Sequence, residues 1–269
     1  MKRVTSHLLT KEKDSIILGR GNNHKGYLNK RAINKLQSVA WEIVTDIIDD
    51  IKDTIKPSDE PLTAYEEADR AHSFKVRDRE TNTVVDYLLE NGNRFFFGWK
   101  YDKRGRSYSQ GYHVNPQGNE YRKAMLQFAD KELLNEEGIR YLKIDIANTF
   151  GYDKDVWIKR VFKANGIIKD IFKAGAIDQV ALEAYQGLAD SPLLFRKAIY
   201  AYYRGVILGE PIGHNMGLDG TASGLQFMSA LSGCCTTARN SNVHAKTTRK
   251  LTEEAQAELE ALEEELNNI

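Results

Sequence analysis

In the run IGHNMGLDGTASGLQFMSAL, residues 212–231, Asp219 is the single carboxylate, although 28% of the chain is charged. Gly220, Ala222 and Gly224 beside it are small, so backbone and a ligand can approach each other closely there. The Asp219 carboxylate and the backbone carbonyl of Gly220 are hard oxygen donors, the kind that magnesium prefers. Asp-Gly is also a common turn dipeptide, and local chemistry leaves a plain strand-to-helix turn open. A second stretch, YDKRGRSY at 101–108, gathers Lys103, Arg104 and Arg106 around Gly105, between Tyr101 and Tyr108. Guanidinium forks grip phosphates and neighbouring aromatics pack on sugars or bases, which suits nucleic acid. A solvated basic hairpin tip would look the same.

The elements that must carry these residues follow from periodicity. Ile33, Leu36, Ala40, Ile43, Ile47 and Ile51 recur at three- and four-residue steps, predicting a helix over 31–56 that stops at Pro57. After the turn PSDEPL a second helix is expected over about 63–91. RFFFGWKYDKRGRSYSQGYHVNP is aromatic and punctuated by Gly, which predicts paired strands around a turn. Helix returns over 120–204, with Asp190 or Ser191 as a cap before Pro192 and Gly205 just past a helix end. Ile212, His214, Met216 and Leu218 alternate with Gly and Asn as a short half-buried strand, and 222–232 has helical spacing up to Gly233. Leu251, Leu259, Leu262 and Leu266 form an apolar stripe on an acidic helix with Thr252 as its cap. Helices, then strands, then helices, a strand and a helix describe an α+β fold without internal repeats.

Composition bounds the function. A chain of 269 residues with 41% hydrophobic and 10% aromatic residues can bury a sizeable core. The N-terminus MKRVTSHLLTKEKD lacks the apolar centre of a secretory signal, and no stretch reaches membrane-spanning length. The only cysteines, Cys234 and Cys235, are adjacent, which suits neither a stapled framework nor a zinc site, and they read as buried or idle thiols. Formal charge is zero, but residues 251–269 hold seven Glu and no Lys or Arg, leaving 38 basic and 31 acidic residues before them. A basic body with an acidic tail suits a polyanion ligand. The six His are scattered, and no nucleophile–base spacing points to a hydrolase.

Taken in order, DKRGR (102–106), NPQGN (115–119), YLKIDIAN (141–148) and DGTASGLQ (219–226) resemble the single-subunit, phage-type RNA polymerases of bacteriophages and mitochondria. Upstream, AINKLQSVAWEI (32–43) is similar to the family's thumb region, so the likeness runs from about 31 to 232. It implies a right-hand polymerase thumb plus a partial palm, and nucleotidyl transfer from nucleoside triphosphates with two magnesium ions. Asp219 would be a catalytic, metal-ligating carboxylate and Gly220 a carbonyl ligand. Arg106, with Arg104, Lys103 and Tyr108 beside it, would hold the backbone of the DNA template or its hybrid with the RNA product.

The chain departs from the pattern at Lys103, where the family has Trp, and at Phe227, where it has His. It has no match to the fingers motif, a Lys and a Tyr-Gly on one helix, or to the second catalytic Asp. There is no room for an N-terminal promoter-binding domain. These gaps resemble the smaller chain of the split, heterodimeric enzymes of N-four-like phages. A larger subunit would then supply fingers and the second Asp, and the two chains would share the magnesium ions. The resemblance leaves room for a DNA-melting accessory factor, requires no membrane, and implies the cytoplasm of an infected bacterial host. It divides the chain into an N-terminal segment with thumb-like helices (1–94), a first palm part (95–130), a helical palm insertion (131–208), a palm strand–helix bearing Asp219 (209–235), and a fingers-like start with an acidic interchain helix (236–269). Leu251, Leu259, Leu262 and Leu266 would contact the partner. A palm-derived module that binds nucleic acid without catalysis is the alternative.

Overall fold

The computed structural model describes residues 29–55, 61–101, 106–217, 223–241 and 261. Helix α1 (Lys30–Gln37) opens where Oδ1 of Asn29 accepts from the Ala32 N–H, a side-chain cap for an otherwise orphan donor. It ends eight residues later. The helix expected over 31–56 is therefore corrected: residues Ala40–Ile43 are a strand, β1, followed by turns. The three- and four-residue spacing is real, since Ile33, Ala40, Ile43, Ile47 and Ile51 are all buried. It is spread over a helix, a strand and turns that face one core. Trp41 and Ile43, aromatic and β-branched, favour the extended conformation once neighbours flank them.

Those neighbours are β2 (Phe95–Phe96) and β5 (Leu126–Phe128), antiparallel on either side of β1, with Trp41 opposite both Phe95 and Phe128. The end of β1 is held by a side chain acting as backbone: Asn93 accepts from the Ile43 N–H at 2.8 Å and donates to its carbonyl at 2.9 Å. Between β1 and β2 runs α2 (Ala64–Glu90), as expected, opened by a capping box between Thr63 and Glu66. Only its later turns pack on the core, through Val84, Val85, Leu88 and Leu89.

The predicted paired strands are present as β3 (Trp99–Tyr101) and β4 (Ser107–Ser109), antiparallel with Lys100 opposite Tyr108. The short α3 (Glu120–Ala124) precedes β5. A second core forms between α4 (Glu136–Phe150), α5 (Trp157–Ile171), α6 (Gln179–Leu188) and α7 (Pro192–Tyr202), around Ile146, Ile171, Leu182, Phe195 and Ile199. A small hairpin, β6 (Phe172–Lys173) with β7 (Ala176–Ile177), links α5 to α6.

Two expectations about α7 change. Ser191 sits at its cap position but its side chain makes no capping bond; Glu120 of α3 does so instead, its Oε1 accepting from the N–H groups of Leu193 (2.6 Å) and Leu194 (3.2 Å). A carboxylate there also complements the positive helix end, and it joins the two cores. Gly205 does not end the helix, because a π-helical turn, Tyr203–Ile207, continues it. Farther on, α8 (Ser223–Ser232) stops at Gly233, whose φ of +64° is the left-handed conformation expected after a helix. A short α9 (Cys235–Asn240) follows, and Cys234 and Cys235 are free and exposed, which corrects the buried alternative. Among the described residues no helix is long and apolar enough to cross a membrane.

Candidate active site and nucleic-acid interface

The basic hairpin is anchored at its base. Gln37 accepts from the Trp99 N–H, and the Gln110 N–H donates to the Gly98 carbonyl at 2.8 Å. The outer edge of β4 is occupied by the NPQGN loop. Gln117 accepts from the Ser109 N–H (2.7 Å) and donates from Nε2 to the Ser107 carbonyl (3.1 Å), so one carboxamide stands in for a third strand. Asn115 fixes that loop, accepting from the Ser109 hydroxyl (2.6 Å) and the Gln117 N–H (2.8 Å) while donating to the Gly111 carbonyl. Arg106, exposed at the start of β4, and half-buried Tyr108 are thus carried by a strand pinned on both edges. Lys103 and Arg104 lie outside the described residues.

The segment that leads towards Asp219 is stitched to the β5 edge of the three-stranded sheet. The N–H groups of Ile212 and Glu132 exchange bonds with each other's carbonyls (2.9 and 3.1 Å), and the Phe128 N–H donates to the Gly213 carbonyl at 2.7 Å. The approach is so close that a Cβ on Gly213 would stand 1.8 Å from the Phe128 carbonyl oxygen, which only glycine avoids. The strand expected over 212–218 is therefore reduced to one bridge at Ile212 followed by irregular chain as far as Gly217. Arg204 holds the turn before it, donating from Nε to Glu210 (2.7 Å) and from Nη1 to Asp46 (2.6 Å); these carboxylates raise its pKa further. Asp219 and Gly220, and the partner-contact residues Leu251, Leu259, Leu262 and Leu266 with their helix and its Thr252 cap, lie outside the described residues.

Sequence reasoning missed a buried polar group behind this segment. His214 donates from Nε2 to Oδ2 of Asp145 on α4 at 2.7 Å, and both side chains are 8% exposed. Lys197 of α7, only 3% exposed, donates to the Leu126 carbonyl of β5 (2.5 Å) and to Oδ1 of Asn215 (2.6 Å). Burial depresses the Lys197 pKa to about 7, with Asp145 opposing the shift. Burial likewise pushes His214 below its ordinary value; Asp145 resists, and the charge of Lys197 adds to the depression. A signal existed: Asp145 stands between Ile144 and Ile146, and Arg196 and Lys197 interrupt the otherwise apolar LLFRKAIYAYY. Beside the group lies a cavity of about 500 Å³, lined by Phe128, Leu134, Tyr141, Asp145, His214 and Met216 among others.

Among the described residues no three His, Cys, Asp or Glu side chains cluster to hold a metal ion. The Asp219 carboxylate and the Gly220 carbonyl are hard oxygens of the kind magnesium prefers.

Residues 132–251, from the bridge at Glu132 through the Asp219 segment, match the family model of DNA-dependent RNA polymerase. Over this segment the chain resembles the phage-type, single-subunit RNA polymerases. It is 33% identical over 171 residues to the DNA-directed RNA polymerase of Pseudomonas phage phiKMV, covering 61% of this chain and 20% of that protein. It is 29% identical over 238 residues to T7 RNA polymerase of Escherichia phage T7, covering 75% of this chain and 26% of the relative. A mitochondrial DNA-directed RNA polymerase of Schizosaccharomyces pombe is 28% identical over 144 residues, 52% of this chain and 12% of its own. The chain spans about a fifth to a quarter of the length of the two phage relatives.

Proposed function

We propose that this chain is the smaller subunit of a heterodimeric, phage-type DNA-directed RNA polymerase. It contributes one of two catalytic carboxylates, Asp219, and part of the grip on nucleic acid. A larger chain contributes fingers and the second carboxylate. The observation that carries the reading is the family match over residues 132–251, which contains Asp219 in DGTASGLQ. Further support comes from α8, on which Leu225, Phe227, Met228 and Leu231 are all exposed, an apolar face for another chain to cover.

The reaction is attack of an RNA 3′-hydroxyl on the α-phosphate of a nucleoside triphosphate, templated by DNA, with release of pyrophosphate. Magnesium, when bound, neutralises triphosphate charge and lowers the pKa of the attacking hydroxyl. Asp219 and the Gly220 carbonyl are the oxygen donors this chain would contribute, and the larger chain would add the second carboxylate. Arg106, with Arg104 and Lys103, holds phosphates of the template or hybrid, and Tyr108 packs beside them. Contacts of this kind position the nucleic acid without reading its sequence.

The test is reconstitution. The purified chain alone should make no RNA, and its complex with the larger chain should extend RNA on a single-stranded template with magnesium. Robust synthesis by the pure chain would overturn the two-chain reading. In the complex, Asp219→Asn should abolish extension and preserve template binding, since losing metal-centred stabilisation costs several kcal/mol, about a hundredfold or more in rate. A variant that kept a tenth of the rate would remove Asp219 from its role.

A further inference from the structure

Residues 213–217, GHNMG, precede Asp219 in the sequence and carry little apolar side chain to anchor them. Two of the five are glycines, and the described backbone ladder to β5 and its following loop ends at Gly213. Yet its side chains reach two other elements. His214 reaches α4 through Asp145, and Asn215 reaches α7 through Lys197. The same Lys197 ammonium holds the Leu126 carbonyl of β5, so a single buried group fixes the strand and the segment that lies beside it. Burying a lysine among neutral acceptors costs free energy, and apolar residues would fill the space more cheaply. Such a group is understandable where geometry, not stability, is what it secures.

Resting on the polymerase reading above, we propose that Lys197 and His214 are positioning residues for nucleotidyl transfer. By tying residues 214 and 215 to α4, α7 and β5 they set the place from which Asp219 acts. Neither touches the reacting atoms. Their contribution lies in where the carboxylate stands, so their loss affects turnover more than binding of nucleotide.

The experiment has two readouts, one of them independent of activity. Amide hydrogen exchange on the full chain without metal follows the N–H groups of Phe128, Glu132 and Ile212, which bridge the segment to the sheet. In Lys197→Met these amides should exchange faster than in wild type, while the α2 and α5 amides keep their protection. In the two-chain complex the same variant should lower kcat about tenfold or more with the KM for nucleotide within about twofold, the pattern of a loss confined to the transition state. Asn215→Ala removes one acceptor without touching the core and should show the same pattern more weakly, which keeps the test alive if Lys197→Met fails to fold. Asn215→Asp, which retains the oxygen acceptor, should restore both readouts towards wild type.

Unchanged exchange at the three amides together with unchanged kcat in Asn215→Ala would overturn the proposal. Loss of protection throughout the chain, with kcat and KM impaired together and no rescue by Asn215→Asp, would overturn it too, by reducing the group to a structural one. Asp219→Asn in the same complex separates the two ideas. If Asp219→Asn is inactive and Asn215→Ala behaves as wild type, the positioning inference alone fails. If Asp219→Asn is active, the polymerase reading fails first.

Discussion

Lys197 should make the stability of this chain rise with pH between about 7 and 10, and Lys197→Met should remove that rise. In the folded chain burial holds the Lys197 pKa at about 7, against an ordinary value of 10.5. Its two acceptors, the Leu126 carbonyl and the Asn215 amide oxygen, are neutral and accept from an uncharged amine as well as from an ammonium. The nearby carboxylate, Asp145, is already engaged by His214 and offsets burial only in part. Between pH 7 and 10.5 the unfolded chain therefore binds a proton that the folded chain has released, and stability increases with pH in that window. The slope approaches about 1.4 kcal/mol per pH unit for one proton, so moving from pH 7 to 9 should gain wild type roughly 2 kcal/mol over the variant. Urea unfolding of both proteins at several pH values above 7 measures this difference, and titrating groups that do not feel Lys197 cancel. Parallel curves for wild type and Lys197→Met would show that Lys197 keeps its charge in the folded chain, and the reasoning from burial would be wrong.

Arg106→Ala in the assembled enzyme should shorten products and weaken template binding, with a shallower salt dependence than wild type because one phosphate contact is lost; matching salt slopes on a primed template would count against it. Glu120→Gln keeps an acceptor for the Leu193 and Leu194 N–H groups but loses the charge at the α7 N-terminus, and should cost about 1 kcal/mol in urea unfolding, most of it removed by high salt. Truncation after Lys250 should weaken co-purification with the larger chain and leave the circular dichroism of the remaining body largely intact; unchanged affinity by calorimetry would assign Leu251, Leu259, Leu262 and Leu266 to the chain's own body.

What could be seen in the sequence was local. The capping box of Thr63 and Glu66 announces α2, and Gly233 announces the end of α8, because both signals act within a few residues. The hairpin β3–β4 follows from aromatic strands around a Gly-centred turn. β1 was not legible as a strand, since Ala40 and Ile43 satisfy helical spacing as well as a buried strand does. What decides between them is Phe95 and Phe128, more than fifty residues away. The true cap of α7 is hidden for the same reason: Glu120 lies 73 residues before Leu193. The Asp145–His214 pair and the Lys197 bridge to Leu126 likewise join residues 69 and 71 apart. Their trace was a charge inside an apolar run, and such a trace names a residue without naming its partner.

The same long-range ties explain how so slight a sheet edge can hold residues 212–215. β5 is three residues long, and beyond Gly213 the segment beside it makes no further ladder among the described residues. A lone backbone bridge opens readily, because few buried apolar contacts reinforce it. Gly213, moreover, gives up a side chain to allow the close approach to Phe128, so packing cannot supply what the ladder lacks. Polar links from α4, α7 and the Arg204 turn supply it instead, each anchored in an element that belongs to a hydrophobic core or pairs with Asp46 beside one. A segment held this way is rigid only while each link is intact, which is why, on the positioning proposal, a change as small as Asn215→Ala should be felt in turnover.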